Sequence, residues 1–423
     1  MLFELMELFY MIVSRHFLYW PVSFLFFFLT GSLVRRYYSR KYSPYKEGLS
    51  RKDVKVSVVI PEYKEEIDIL ERCIKSAVES NPDEVILVYE DNRPEVKALV
   101  KKYKIRGVDV TGKNLRKRGS LVVGWLMAKG DIIVQLDSDT VMSKQTLEEI
   151  VKPFADPKVV GVQGHPLLFR TGSKLAFALG QIIELSRDVV CRALNGNLVV
   201  IDGKIAAYRR SFLISIMKEF LYEKWGKMRI IGADDRALTF FANLKGYKTV
   251  YQSTAIVYSA AQPTLYKFLL QQMRWARSGY LYFLKDLKSG LFFMVTRRYR
   301  FQQITYLFGP LSLAIAITQT VLSNVQIVNQ LGQFINQLAA INVPLLLYSV
   351  SVFLFGSLLT FRTSLFLLGV DLNEVRKISL AWFEYLIIPL LGLFLIFPLM
   401  LYSMITYNKI NQWLTREMLD GVV

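Results

Sequence analysis

The sequence predicts an α/β fold: a mostly parallel sheet with helices on both faces, attached to interfacial and transmembrane α-helices. Three observations lead there. Over residues 54–260, short apolar runs of strand type alternate with segments of helical period, the pattern of a sheet built from strand–helix–strand units. Strongly apolar runs flank that region at 17–34 and beyond residue 303. Charge is also uneven. The middle carries both signs, whereas Arg35, Arg36, Arg40, Lys41, Lys46, Arg51 and Lys52, and again Arg297, Arg298 and Arg300, form purely basic stretches beside the apolar runs.

Taken in order, 17–34 is an apolar run close to the ~20 residues that span a bilayer. It is followed by RRYYSRK rather than a small-residue cleavage site, so it reads as a retained anchor whose basic flank faces the cytoplasm. Residues 1–13 are apolar but carry Glu4 and Glu7, and suit either an interfacial helix or an extension of the anchor. VKVSVVIP (54–61), EVILVYED (84–91) and GDIIVQLDSD (130–139) read as buried strands ending in polar or acidic residues, and DILERCIKSAVE (68–79) as a helix. In such folds ligands sit at the carboxyl ends of the strands. Residues 264–284 mix apolar, basic and aromatic side chains, which suits a helix lying in the membrane interface. Runs at 303–325, 342–361 and 380–405 are long enough to span, with Pro389 and Pro398 placed to kink the last.

Of the 423 residues 52% are hydrophobic, and the formal net charge is +18. Because the basic stretches abut apolar runs, they point to a lipid surface rather than to nucleic acid; a merely solvated charge run is the plainer alternative. Two cysteines (Cys73, Cys191) and two histidines (His16, His165) cannot build a disulfide framework or a His/Cys zinc site. A reducing, cytosol-facing domain fits that usage.

The chemistry-bearing candidates are carboxylates and cations. Asp137 and Asp139 are one residue apart at a strand end, where they can share Mg²⁺ or Mn²⁺ that also grips a diphosphate; a solvated turn is the alternative. Glu90 and Asp91 end another strand and could accept a hydrogen bond from a uracil or ribose. Asp234 and Asp235, beside Arg236, open a helical segment. One of them could be a general base that deprotonates a sugar hydroxyl, or both could simply suit a helix N-terminus. Gln271, Gln272, Arg274 and Trp275 lie on the proposed interface helix. Arg274 could neutralise a leaving diphosphate and Trp275 could stack on a sugar, or both could be interfacial anchors. Lys117 and Arg118 precede a helix and could meet phosphate or form a surface charge pair.

Taken together, VSVVIPEYKEE (56–66), KRGSL (117–121), LDSDT (136–140), NGN with YRR (195–197, 208–210), DDRALT (234–239), KTVYQSTA (248–255), QQMRWARS (271–278) and LYSMITYNKINQWLTRE (401–417) resemble the processive family-2 glycosyltransferases, most of all the hyaluronan synthases. The Gln-x-x-Arg-Trp motif marks polymerising members, and Trp413-Leu414-Thr415-Arg416 is similar to a Trp-Gly-Thr-Arg signature. The resemblance implies a GT-A fold and an inverting single displacement that gives a β-linkage, with the polymer leaving through a transmembrane channel. It assigns Glu90, Asp91, Lys117, Arg118, Asp137, Asp139, Arg274, Trp413 and Arg416 to the nucleotide-sugar. Asp137 and Asp139 go to the metal, and Asp235, with Asp234 and Arg274, to catalysis. Gln271, Gln272, Trp275 and Asp235 go to the acceptor. Implied partners are UDP-sugar donors (UDP-GlcNAc, with UDP-GlcA as a second), a growing polysaccharide and the lipid bilayer, with no nucleic acid; the oligomeric state is left open, a monomer included. The implied location is the cell membrane, multi-pass, with the catalytic domain cytoplasmic.

The expected domains are an anchor (1–34), a basic juxtamembrane linker (35–52), the glycosyltransferase domain (53–260), interfacial helices (261–300), channel helices (301–409) and a tail (410–423). The sequence departs from the family pattern at Glu90, Ala233, Ala237, Leu414 and Lys204, the last standing where proline is usual. These departures bear on which sugar is used more than on the reaction type. Rival readings are a chitin- or cellulose-type homopolymer synthase, a non-processive transferase loading a lipid carrier, and a transporter or channel. The last would be expected to carry ionisable residues at membrane depth, whereas the acids here cluster in 53–260.

Overall fold

The computed structural model describes residues 19–307 and 368–411, together with Arg362 and Leu365. Trp413 and Arg416, the apolar run 342–361, and all of the run 303–325 beyond residue 307 lie outside the described residues. The elements run α1 (Tyr19–Arg40), β1 (Val56–Glu62), α2 (Ile67–Glu79), β2 (Glu84–Tyr89), α3 (Pro94–Lys102), β3 (Arg106–Asp109), α4 (Arg116–Met127), β4 (Ile132–Leu136), β5 (Thr140–Met142), α5 (Thr146–Val151), β6 (Val159–Phe169), α6 (Lys174–Ala193), β7 (Ile205–Arg209), α7 (Arg210–Leu221), the short β8 (Lys224–Trp225) and β9 (Met228–Arg229), α8 (Asp234–Leu244), β10 (Lys248–Ala260) and α9 (Leu265–Lys288).

Eight strands form one sheet in the order β3-β2-β1-β4-β7-β6-β10-β5. The first four run parallel, so their carboxyl ends share one edge. The second half keeps the sheet mostly parallel, as expected: β6 and β10 pair parallel and run in the direction of the first four, while β7, between β4 and β6, and the edge strand β5 run opposite. Short antiparallel insertions leave the same apolar strand signature in sequence as parallel ones, because both are buried on two faces.

Alternation across the sheet explains the two cores. Along β1, Val56, Val58 and Ile60 join Leu87, Ile132 and Val134 on one side, while Val59 joins Ile86, Val88, Trp125 and Ile133 on the other, as a period of two requires. Helices cover both faces. In α2 the buried Ile69, Leu70, Cys73, Ile74 and Ala77 make one apolar stripe. In α4, a Cβ at Gly124 would fall 2.3 Å from Val59 Cγ1, so this helix lies closer to the sheet than any side chain there would allow.

The described residues divide into two compact units, one of residues 37–300 with 402–411, the other of 19–36 with 301–307 and 368–401. Among the described residues no helix is long and apolar enough to cross a membrane. Within the run 380–405, helix Glu384–Leu391, a π-helical stretch Gly392–Ile396 and helix Phe397–Ile405 follow one another. The expected interfacial segment does form a helix, α9, capped by Thr264, whose hydroxyl accepts from Lys267 N. From Ala276 to Phe283, however, every residue of it is buried. This stretch packs into the core, where its polar members find partners: Arg277 bonds Thr406 Oγ1 and Lys409 O, and Tyr282 donates to Glu223.

Candidate functional site

Strand β4 delivers Asp137 at the parallel edge. Lys117, in the first turn of α4, reaches across to it, its Nζ 2.8 Å from Asp137 Oδ1 and 3.1 Å from Asp234 Oδ2. Gly203 closes the side, since a Cβ there would come 3.1 Å from Lys117 Nζ. Burial alone would lower the lysine's pKa, but the flanking Asp137 and Asp234 raise it above its ordinary value. Asp139 Oδ1 accepts from Thr140 Oγ1 (3.1 Å) and Ser259 Oγ (3.3 Å). Thus the structure brings Lys117, Asp137 and Asp234 into direct contact, with Asp139 two residues further along the same strand end.

Asp234 and Asp235 open α8. Their surroundings split them. Burial works against ionisation of both, but Lys117 beside Asp234 brings its carboxyl below the usual range. Burial, Asp234 and Asp202 together push Asp235 above it. A carboxylate pair with separated acidities is the arrangement that lets one act as a proton acceptor while its neighbour stays a fixed charge. The turn before them is unusual: Ala233 takes a left-handed conformation with φ 54°, a region that costs a non-glycine residue ~1–2 kcal/mol. Two side chains hold that turn. Arg118 donates to Gly232 O through Nε (3.0 Å) and Nη2 (2.7 Å). Asn411 accepts from Ile231 N (2.9 Å) and donates to Arg229 O (2.6 Å).

Arg118 therefore does not join Lys117. Its guanidinium is almost fully buried, with Nη1 on Phe220 O and on Glu223 Oε2, both at 2.8 Å. Tyr282 and Lys285 from α9 complete the Glu223 carboxylate's partners. Sequence reasoning assigned Arg118 to phosphate and missed Glu223, whose only signal is being an acid just beyond an apolar helix.

At the ends of β1 and β2 a second acidic group forms. Asp91 is buried and accepts from Arg93 Nε at 2.5 Å and from Arg93 N at 3.1 Å. Arg93 also donates to Glu65 O (2.6 Å) and lies 3.6 Å from Glu62. Ser138, between the two candidate metal ligands, donates to Glu65 Oε2 (2.9 Å), which ties this group to the Asp137 strand end. Glu90 is only partly buried, and its amide bonds Glu62 O. Arg93 was not singled out from sequence, although its position two residues after Asp91 was a usable signal.

On α9, Gln271, Gln272 and Trp275 line a cavity together with Phe268, Glu184 and Lys204. Gln272 Nε2, at this cavity, and Arg274 Nε, on the same helix, are buried without a hydrogen-bond partner among the described residues, so the Gln272 donor stands ready in the cavity for a polar ligand.

Among the described residues no group of three or more His, Cys, Asp or Glu side chains could hold a metal by itself. The Asp137–Asp139 pair fits a hard cation of another kind, one bound by one or two carboxylates and completed by substrate phosphates.

Residues 53–278, more than half of the chain, match the profile described as Glycosyltransferase like family 2. The chain belongs to glycosyltransferase family 2. It is 30% identical over 264 residues to the hyaluronan synthase of Streptococcus pyogenes serotype M3 (strain ATCC BAA-595 / MGAS315), a match covering 59% of this chain and 62% of that relative. An N-acetylglucosaminyltransferase of Rhizobium meliloti (strain 1021) is 28% identical over 240 residues, covering 53% and 55%. One from Rhizobium leguminosarum bv. viciae is 24% identical over 378 residues, covering 85% and 81%. Among solved structures, a mannosyltransferase from Pyrobaculum calidifontis in complex with GDP-Man and Mn²⁺ superposes with a TM-score of 0.55 at 16% identity, covering 88% of this chain and 97% of that one. That likeness places the fold with the GT-A glycosyltransferases.

Proposed function

We propose that this family-2 chain is a processive, inverting membrane glycosyltransferase that polymerises UDP-sugars into a β-linked polysaccharide, hyaluronan or a related GlcNAc-containing polymer, and passes it across the membrane. The observation that carries the reaction is the Lys117 bridge between Asp137 and Asp234, which sets a strand-end carboxylate pair beside a second pair of separated acidity. Asp137 and Asp139 would hold Mg²⁺ or Mn²⁺, which supplies positive charge to the diphosphate. Lys117 adds a further positive charge there, and Arg274 offers a planar donor fork to the same leaving group. Asp91, fixed by Arg93, serves the nucleoside. Asp235 takes the proton from the acceptor hydroxyl as that oxygen attacks the anomeric carbon; the carbon–oxygen bond to the diphosphate breaks, and its electron pair leaves with UDP. Trp275 presents a flat face to the acceptor sugar.

Support for the polymer comes from the Gln271–Trp275 motif and the hyaluronan synthase relative. The proposed crossings fall on 17–34, 303–325 and 342–361, with 380–405 entering the membrane as a broken helix, and the catalytic domain is placed on the cytoplasmic side. A second reading, a product of GlcNAc alone, is favoured by the Rhizobium leguminosarum relative, whose match covers 85% of this chain. The experiment is UDP release and product sizing for the purified chain in nanodiscs, with UDP-GlcNAc and UDP-GlcA singly and paired. Long product only with both donors gives hyaluronan; long product with UDP-GlcNAc alone gives the second reading; single-sugar products with every donor overturn polymerisation. Excess chelator, or Asp139→Asn, is expected to abolish UDP release, and full turnover in chelator would remove the metal.

A further inference from the structure

Beneath Trp275 lies a group of four charged residues that no motif accounts for. Lys204 Nζ is 3.0 Å from both Glu184 Oε1 and Asp202 Oδ2. Arg187 Nη1 is 2.5 Å from the same Asp202 oxygen and 3.3 Å from Glu184 Oε1. Two cations and two anions close into a neutral ring, and the side chains of Glu184, Asp202 and Lys204 are under a tenth exposed. Their charges reinforce one another. Despite burial, Arg187 and Lys204 hold the Asp202 carboxyl below the ordinary range, and Asp202 and Glu184 hold Lys204 above its own.

Both cations also face the tryptophan. Lys204 Nζ sits 4.9 Å from the centroid of the Trp275 ring and the Arg187 guanidinium carbon 5.3 Å from it, within the distance at which the ring's negative face attracts a cation. The cavity above is lined by Glu184, Lys204, Gln271, Gln272 and Trp275, and Gln272 Nε2 lies buried in it without a partner among the described residues. If the ring swings into this space it loses its contacts with both cations, which are held in place by their own ion pairs, so these contacts favour one orientation of the ring. Lys204 is also the position where the sequence departs from the proline usual in the family.

We propose that Glu184, Arg187, Asp202 and Lys204 form a neutral ion-paired platform that locks the Trp275 ring for the acceptor, with Lys204 and Arg187 as positioning residues. This rests on the reading of Trp275 as an acceptor contact. It predicts an acceptor site that takes an uncharged sugar unit against the ring, since no cation of the platform is left unpaired for a carboxylate.

The test uses the full chain in nanodiscs, with UDP-GlcNAc as donor and a GlcNAc oligosaccharide as acceptor. Lys204→Met is expected to raise the acceptor KM about 30-fold, the scale of a desolvated cation–π contact, with UDP affinity unchanged. Lys204→Arg is expected to restore most of it. Removing one charge of a buried set is destabilising, so the charge-balanced pair Asp202→Asn with Lys204→Met carries the same test if the single variant does not fold. A second readout needs no turnover: the change in tryptophan emission caused by Lys204→Met should vanish in a Trp275→Phe background. An emission change that persists there, or acceptor effects of Lys204→Met and Trp275→Phe that simply multiply, would overturn the platform. Loss of UDP affinity equal to the acceptor effect would do so too, by showing a general structural role. Failure of the wild-type chain to use any acceptor, with the emission coupling intact, would sink the functional reading and leave the platform standing.

Discussion

Lys117 and Arg118 are neighbours in the sequence and end in two different electrostatic settings. Lys117 sits at the partly open parallel edge, between Asp137 and Asp234. Arg118 points the other way, into a closed cluster with Glu223, Tyr282 and Lys285. The first cluster keeps solvent access, with the lysine and Asp137 side chains 22% and 29% exposed; in the second, Arg118 and Glu223 are 4% and 3% exposed. Between them runs the strained turn 232–233, gripped from below by Arg118 and leading directly into Asp234 and Asp235. The difference teaches that the two members of a basic pair can play separate roles. One joins the strand-end carboxylates where the proposed chemistry lies, and the other holds the backbone turn that leads into Asp234.

The largest effect that would test this division is expected at the open cluster. Asp235→Asn should lower transfer by ~10²–10⁴-fold, the range for loss of a general base, while UDP-sugar binding measured by calorimetry stays intact. If Asp234→Asn gives that result instead and Asp235→Asn turns over normally, the base is the residue against Lys117 and the assignment of the two carboxylates reverses.

Next comes the closed cluster. Arg118→Met should destabilise the chain by ~2–3 kcal/mol, because it removes the donor from Phe220 O and Gly232 O and leaves Glu223 with Lys285 and Tyr282 alone. Lys117→Met should change the thermal midpoint much less and UDP release much more. Thermal unfolding and UDP release, measured for the same pair of variants, decide the matter. Comparable midpoints with comparable losses of activity would mean that the two residues work as one phosphate-binding unit after all.

The smallest effect lies in the turn between the clusters. Ala233→Gly removes the cost of a left-handed alanine, ~1–2 kcal/mol, and restores unfolded-state freedom worth ~0.4–1 kcal/mol. The stability gain should therefore be small, within about 1.5 kcal/mol, with UDP release unchanged. A large loss of activity would show that the alanine methyl itself, rather than only the backbone it sits on, serves the site.

Much of this was legible in residues alone. Buried strand runs at 54–61, 84–91 and 130–139 needed only apolar patterning, and acids at their ends marked the edge where the candidate site lies. Other parts were not legible. The antiparallel β7 carries the same IAAYR-type apolar signature as a parallel strand, so direction was invisible. Helix α9 reads as amphipathic from its basic and aromatic residues, yet Ala276–Phe283 is enclosed on all sides because Arg277, Tyr282 and Lys285 find partners in the fold. Arg277 bonds Thr406 Oγ1 and Lys409 O, more than 120 residues away in the chain. Glu184, Arg187 and Asp202 belong to no motif, and only Lys204 stood out, as a departure.

The sequence by itself determined the α/β class, the family and the identities of the carboxylates, because strand periodicity and the spacing of acids at strand ends are local properties of the chain. Tertiary structure alone decided which of those charges act together. Lys117 meets Asp234 across more than 110 residues of chain, Arg118 meets Glu223 over a similar span, and Lys204 and Arg187 converge on Trp275 from different elements. Electrostatic roles are set by distance and burial, and neither exists until the sheet and its helices have closed.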